Sequence, residues 1–360
     1  MRPVLKSKVN ASYPDPASFT FSGRAVTSIK KVLKRTSAVN IPTQKCLDAW
    51  LRLVEGRPPL GGTKTDQIRA VAAIRNKVTA AYKLAGVPLT EELGPFCSFC
   101  ETPLPGLLEV EHCVPKSEYP SFALNWENFL LACNPCNTSK GSIPSRSTVR
   151  VWARTRLTKE QGFYSEIRSR HYVWADIGGT SYRWLPLVLE FYHSATGTWA
   201  VLPMTEAAHL ENKHVSSDIA KREVQATIYD TTSKVHIQRI VRTQLDPSVS
   251  ATAAARGREM LQLCALNENG NLASTYDRRV LNRTAAWFQC LEALKAHKAA
   301  NDPEMQTATW KMLLQNSAAV GFYSVWLSIL RFHDMKLADK FVKDSNQKPY
   351  YPGTDTRYLP

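Results

Sequence analysis

Two Cys-x-x-Cys pairs, Cys97–Cys100 and Cys133–Cys136, stand with 32 residues between them and constrain this chain more than any other feature. A CxxC turn places two thiolates on one side of a knuckle. Two such knuckles close a tetrahedral site of four sulfurs, the coordination Zn²⁺ prefers. A site filled by four protein ligands leaves no position for substrate, so the zinc expected here serves folding. The competing reading, four unrelated buried thiols, must explain two identical spacings around one short segment. Met1–Asn10 is basic with no apolar core after it, so no export leader is expected and the location expected is cytoplasmic. In that setting eight cysteines point to metal rather than to a disulfide framework. Cys46, Cys113, Cys264 and Cys290 lack metal spacing and read as buried thiols.

The segment between the pairs alternates. Leu108, Val110 and His112 interleave with Glu109 and Glu111, which reads as a strand ending at Glu111-His112. Trp126-Glu-Asn128 leads into a second apolar strand, Phe129–Ala132. The second knuckle follows, and Cys136-Asn137-Thr-Ser-Lys140-Gly141 opens a helix. With these elements in this order, the segment resembles the HNH nuclease family. The fold class expected is α+β: a ββα-metal HNH core with a four-cysteine zinc knuckle, flanked by helical regions. The resemblance implies His112 as general base, Asn128 as the middle Asn and Asn137 at the final position. Where the family often has Asp before the His and His at the last position, this chain has Glu111 and Asn137. Both keep an oxygen able to bind metal. Adjacent strand residues point to opposite faces, so Glu111 and His112 serve one site only if the strand twists or breaks there, as Pro115 would favour.

Phosphodiester hydrolysis needs an in-line nucleophile and relief of charge on the phosphate and the leaving oxygen. A neutral imidazole can take a proton from water near neutral pH. The Glu111 carboxylate and the Asn137 amide oxygen are hard donors suited to Mg²⁺ or Mn²⁺. Asn128, with a donor and an acceptor, is expected to bond backbone across the loop and hold the His112 strand. Lys116 and Lys140 are equally candidates for phosphate contact and for solvated surface. Leu104–Ser142 is further similar to the HNH subgroup that contains the nuclease component of Septu anti-phage systems. That similarity implies an effector acting on nucleic acid, DNA or RNA, beside an SMC-like or ABC-type ATPase subunit. Two alternatives stay open. One is a stand-alone restriction-type or mobile-element HNH nuclease. The other is a non-catalytic zinc-knuckle adaptor, for which Glu111, His112 and Asn137 would be superfluous.

The net charge of +15 is uneven: residues 1–90 hold sixteen Lys/Arg against four Asp/Glu. Clustered cations next to a nuclease motif favour a phosphate-binding region. Three regions are expected: a basic, mostly helical stretch at 1–90, the HNH core at 91–150, and a mixed, then mainly helical domain at 151–360. Residues 1–23 read as an extended arm, and Val26, Ile29 and Leu33 as a helix stripe. Further helices are expected over Gln44–Val54 and Thr65–Ala85. The latter has Thr65 as N-cap, Gly86 as stop and a stripe of Ile68, Val71, Ile74, Val78 and Tyr82. Strands are expected at Tyr182–Phe191, Thr198–Leu202 and Val235–Val241, within an otherwise helical pattern from about Thr205. Helices follow at Ala251–Leu266, Tyr276–Ala299 and Pro303–Phe332. The uncharged run Met312–Leu330 reads as a buried helix pair broken near Gly321, not as a membrane span, because Gln315, Asn316 and three serines interrupt it. Tyr276-Asp-Arg-Arg279 with Arg283 is either a helix start touching nucleic acid or a salt-bridge cluster. His209, Glu211 and His214 lack zinc spacing and read as surface.

Overall fold

The computed structural model describes residues 2, 6–7, 10–15, 18–21, 25–33, 41–55, 57, 61–106, 109–153, 157, 159–176, 187–202, 204, 215–218, 223–230, 235–247, 249–267, 277–346, 348–351 and 354. Leu107, Leu108, Arg154, Arg156, Tyr182, His209, Glu211, His214 and Tyr276 lie outside these residues, as does the side chain of Val26.

The N-terminal part is helical: α1 (Ala25–Val32), α2 (Thr43–Val54), α3 (Lys64–Lys83) and α4 (Gly86–Leu93), with a two-residue pairing of β1 (Thr20–Phe21) and β2 (Ile41–Pro42). The cap of α3 is Thr63, not Thr65. Its side chain accepts from the Asp66 N–H while Asp66 reaches back to the Thr63 N–H, a reciprocal box worth more than a lone hydroxyl cap. Gly86 opens α4 rather than ending the helical run. The buried stripe of α3 is Ala70, Ile74, Val78, Ala81 and Tyr82, and Ile68 is 63% exposed. At its C-terminal end Tyr82 of this stripe packs on His112 and Phe129.

These two residues belong to a hairpin of β3 (Glu109–His112) and β4 (Phe129–Ala132), antiparallel, with His112 opposite Phe129 and Glu111 opposite Leu130. α5 (Asn134–Lys140) follows at once; Pro135 fits its first turn, and Gly141, at φ +48°, ends it. Next come α6 (Arg146–Ala153) and α7 (Glu160–Glu166). One hydrophobic cluster joins α1–α4, the hairpin, α7 and residues 172–175 with Met260–Leu266.

β5 (Leu187–His193), β6 (Thr198–Val201), β7 (Val215–Asp218), β8 (Glu223–Asp230) and β9 (Val235–Leu245) form an antiparallel sheet in the order β6-β5-β9-β8-β7. Strands stand where expected at β5, β6 and β9, and the helical pattern expected from about Thr205 is corrected by β7 and β8. Val224, Ala226 and Ile228 alternate inward on β8, and Val241, Thr243 and Leu245 on β9. On β8 they alternate with Glu223, Gln225 and Thr227, the period-two pattern of a half-buried strand. α8 (Ala251–Leu263), α9 (Arg279–Ala299), α10 (Pro303–Val320), α11 (Tyr323–His333) and α12 (Met335–Val342) complete the fold. A second cluster seats Trp287, Phe288, Leu291 and Trp326 of α9 and α11 against Val188, Leu189 and Val241, so these aromatic residues are core. The uncharged run is two helices parted at Gly321, and among the described residues no helix is long and apolar enough to cross a membrane.

Candidate metal and nuclease centre

The first knuckle is a tight turn: the Glu101 N–H donates to the Cys97 carbonyl (2.9 Å), and the Ser98 N–H docks it on β4 through Leu131 O (2.8 Å). The second is formed where β4 runs into α5. Together they bring the sulfurs of Cys97, Cys100, Cys133 and Cys136 within 4.8 Å of one another, all buried. A tetrahedron with Zn–S bonds of ~2.3 Å has sulfur edges of ~3.8 Å, and Cys100 Sγ lies 3.6 Å from Cys133 Sγ. The donor set and its span therefore fit a closed zinc site. The other four cysteines are buried and free.

Two arginines of α9 reach this knuckle. Arg279 Nη1 donates to Cys136 Sγ (3.2 Å) and to Cys264 O (2.6 Å), and its guanidinium is paired with Asp277. One turn later the buried Arg283 donates to Cys100 O (2.7 Å), Glu101 Oε2 (3.2 Å) and Ser324 Oγ (3.0 Å). The Arg279 and Arg283 motif is thus a structural cluster on the four-cysteine knuckle. Its only sequence signal was two arginines four residues apart at a helix start.

His112 ends β3 with its ring 1% exposed, edge-on to Tyr82 (4.6 Å between centroids) and Phe129 (5.1 Å). Nε2 lies 2.9 Å from Ala123 O, and Nδ1 is buried with no hydrogen-bond partner among the described residues. A carbonyl can only accept, so Nε2 carries the proton and Nδ1 holds the lone pair. Burial, with the Lys116 and Lys140 ammonium groups nearby, holds the imidazole pKa well below its ordinary 6.5. The ring is neutral in neutral solution. Lys116 Nζ stands over the Tyr82 ring at 4.9 Å, so it caps the same aromatic that covers His112.

Asn128 is fully buried at the entry to β4. Its Oδ1 accepts from Val114 N (2.8 Å), and its Nδ2 donates to Val114 O (2.9 Å) and Phe122 O (3.1 Å). These bonds tie the chain after His112 to the loop that carries Ala123. Glu111 is held by a lysine: its Oε1 accepts from Lys140 Nζ at 2.7 Å, and both groups are buried. Lys140 is therefore the partner of an acid rather than solvated surface. Asn137 bonds a neighbouring acid of the same strand. Its Nδ2 donates to Glu109, which also accepts from Asn134 Nδ2 (3.3 Å). Glu109 was missed by sequence reasoning, although its place two residues before Glu111 puts both acids on one strand face. Behind the hairpin, Arg168 Nη1 donates to Cys113 Sγ (2.9 Å), and Asp176 pairs with Arg168 (2.8 Å) and Lys6 (3.1 Å). Burial pushes the Asp176 carboxyl up, but the two cations outweigh it and hold it at about 2.

Of the basic N-terminal residues, Arg2 and Lys6 are spent inside the molecule. Arg2 donates to Leu93 O and Thr354 Oγ1, and Lys6 to Trp126 O (3.1 Å). Arg69, Arg75, Lys77 and Lys83 of α3 remain on the surface, on the helix whose Tyr82 touches His112.

Residues 97–142 match the family described as HNH endonuclease. The Septu protein PtuB of Bacillus thuringiensis is 42% identical over 53 residues, which cover 14% of this chain and 21% of that protein. The chain thus aligns with about a fifth of that relative's length. No solved structure matches the chain. The knuckle, hairpin and helix built from this stretch are accordingly no generic zinc ribbon: residues 97–142 form an HNH endonuclease domain, similar in sequence to a segment of PtuB.

Proposed function

We propose that the chain is a metal-dependent endonuclease that hydrolyses phosphodiester bonds in DNA or RNA, with His112 as general base. The carrying observation is the state of that imidazole: Nε2 is occupied by Ala123 O, Nδ1 is buried with no partner among the described residues, and burial keeps the ring neutral. Nδ1 would receive the proton of the attacking water, and the Ala123 carbonyl would stabilise the imidazolium formed. Asn128 fixes the backbone on both sides of this pair. Because the ring is enclosed, substrate entry requires the Tyr82 and Lys116 side chains to move.

Glu109, Glu111 and Asn137 offer oxygen donors alone, a set suited to Mg²⁺ or Mn²⁺ rather than to a soft ion. A divalent ion held there would relieve charge on the phosphate and the leaving oxygen. The Asn137–Glu109 bond uses the amide nitrogen, which leaves Asn137 Oδ1 as the donor. Lys116 is the proposed phosphate contact. The four-cysteine site holds zinc for folding only. By its resemblance to Septu nucleases, the chain is read as the nuclease effector of a cytoplasmic anti-phage system, working beside an SMC-like or ABC-type ATPase.

The test is purified protein on plasmid, single-stranded DNA and RNA, with and without Mg²⁺. Cutting should stop after brief chelation, return with Mg²⁺ alone, and fall ~10²–10⁴-fold in His112→Ala with zinc content unchanged. Full-rate cutting by that variant would remove His112 from the role. An ATPase gene absent from the genomic neighbourhood would favour a stand-alone nuclease over the defence complex.

A further inference from the structure

The zinc knuckle draws a contact from far along the chain. Cys136 and Arg279 are 143 positions apart, yet Arg279 Nη1 lies 3.2 Å from Cys136 Sγ, in a buried setting. The same guanidinium is fixed on three further sides, by Cys264 O (2.6 Å), Ala265 O (3.2 Å) and the Asp277 carboxylate. Arg283, the next turn of α9, grips the first knuckle through Cys100 O and Glu101. One helix therefore holds both halves of the four-sulfur site.

The chemistry gives this grip a direction. Four thiolates around Zn²⁺ carry a net charge of two minus. In a buried site that charge needs compensation, and an aligned guanidinium N–H to sulfur supplies it. Outer partners of this kind tune metal affinity, because they favour the anionic ligand and fix its orientation.

We propose that Arg279 is the outer partner of the zinc thiolates, so that metal affinity is set jointly by the nuclease segment and α9, and zinc loading locks α9 onto the knuckle. Arg279 acts here as a positioning residue. It touches a ligand sulfur and not the metal, and its role does not depend on whether the chain cuts nucleic acid.

The experiment compares full-length wild type, Arg279→Met, Arg279→Lys and Asp277→Asn for zinc release to a chromogenic chelator and for the Co²⁺-substituted absorption spectrum. Arg279→Met should bind zinc about 10–100-fold more weakly and shift the thiolate-to-Co²⁺ charge-transfer band. Arg279→Lys keeps the charge but loses the fork, and should fall between. Asp277→Asn only loosens the guanidinium, so it tests the same prediction if Arg279→Met does not fold. A small shift in the same direction supports the proposal. Zinc affinity within twofold of wild type and an unchanged Co²⁺ spectrum in the folded variants would overturn it. Wild type that retains no zinc would overturn the zinc assignment itself, an outcome separate from any result on cleavage.

Discussion

His112 and Lys140 illustrate how single residues carry this site. The folded protein keeps His112 neutral, whereas in the unfolded chain the imidazole takes a proton near its ordinary value of 6.5. Above that pH both states are neutral and the residue contributes no pH dependence. Below it the unfolded chain binds a proton that the folded one refuses, so stability should fall by up to ~1.4 kcal/mol per pH unit as pH drops. Denaturant midpoints between pH 7 and 5 should show this slope, and His112→Gln should flatten it. An identical slope in the variant would show that the proton uptake belongs elsewhere. Lys140 neutralises Glu111 in a buried pair. Lys140→Met strands the carboxylate and should cost ~3–5 kcal/mol, read as a lowered midpoint. Adding Glu111→Gln should recover most of that loss. A Lys140→Met protein as stable as wild type would mean that Glu111 finds water instead.

At the scale of elements, the joint between α10 and α11 is set by how close it comes to the first knuckle. Gly321 has φ +78°, and a Cβ there would sit 2.6 Å from Glu101 O and 2.7 Å from Pro103 Cδ. The next residue donates its N–H to the same Glu101 carbonyl at 3.0 Å. Gly321→Ala is expected to destabilise by roughly 1–3 kcal/mol through overpacking and backbone strain. Thermal melts give that value, and a midpoint within error of wild type would contradict the close approach. α3 shows the opposite case, a helix whose outer face is unspent. The triple change Arg69→Gln, Lys77→Gln, Lys83→Gln should leave folding intact and weaken nucleic-acid binding. It should also reduce the salt slope by up to ~0.9 per lost phosphate contact on duplex DNA. Unchanged binding across a salt titration would move the nucleic-acid track off α3.

Across the whole molecule, the HNH segment is not an appended module. α3 covers His112, Lys6 near the N-terminus closes the charge network behind it, and α9 grips its four-cysteine site. Deleting residues 1–23 removes Lys6 and leaves Arg168 and Asp176 without one of their three charges, so it should lower the melting temperature as well as the positive charge. The HNH-like segment is a short stretch, while the contacts that hold it come from residues far along the chain on either side.

What the sequence determined by itself is local. The CxxC spacing, the alternation into Glu111-His112 and the Gly321 break are each governed by neighbours a few residues away, through turn geometry, strand period and helix termination. These sufficed for the α+β HNH core and for the helix pair at Met312–Leu330. Only the tertiary structure decided which partner each polar group takes. It set the Asn137 amide nitrogen on Glu109, buried Lys140 on Glu111, turned Arg279 and Arg283 onto the knuckle, and drew Arg2 and Lys6 inside. The order of the five-stranded sheet belongs with these, because which strands pair is settled by contacts across the sheet, although β5, β6 and β9 were legible in the alternation. A buried charge or strand edge must be satisfied by whatever group folding brings to it, and that group is not encoded in the residues beside it.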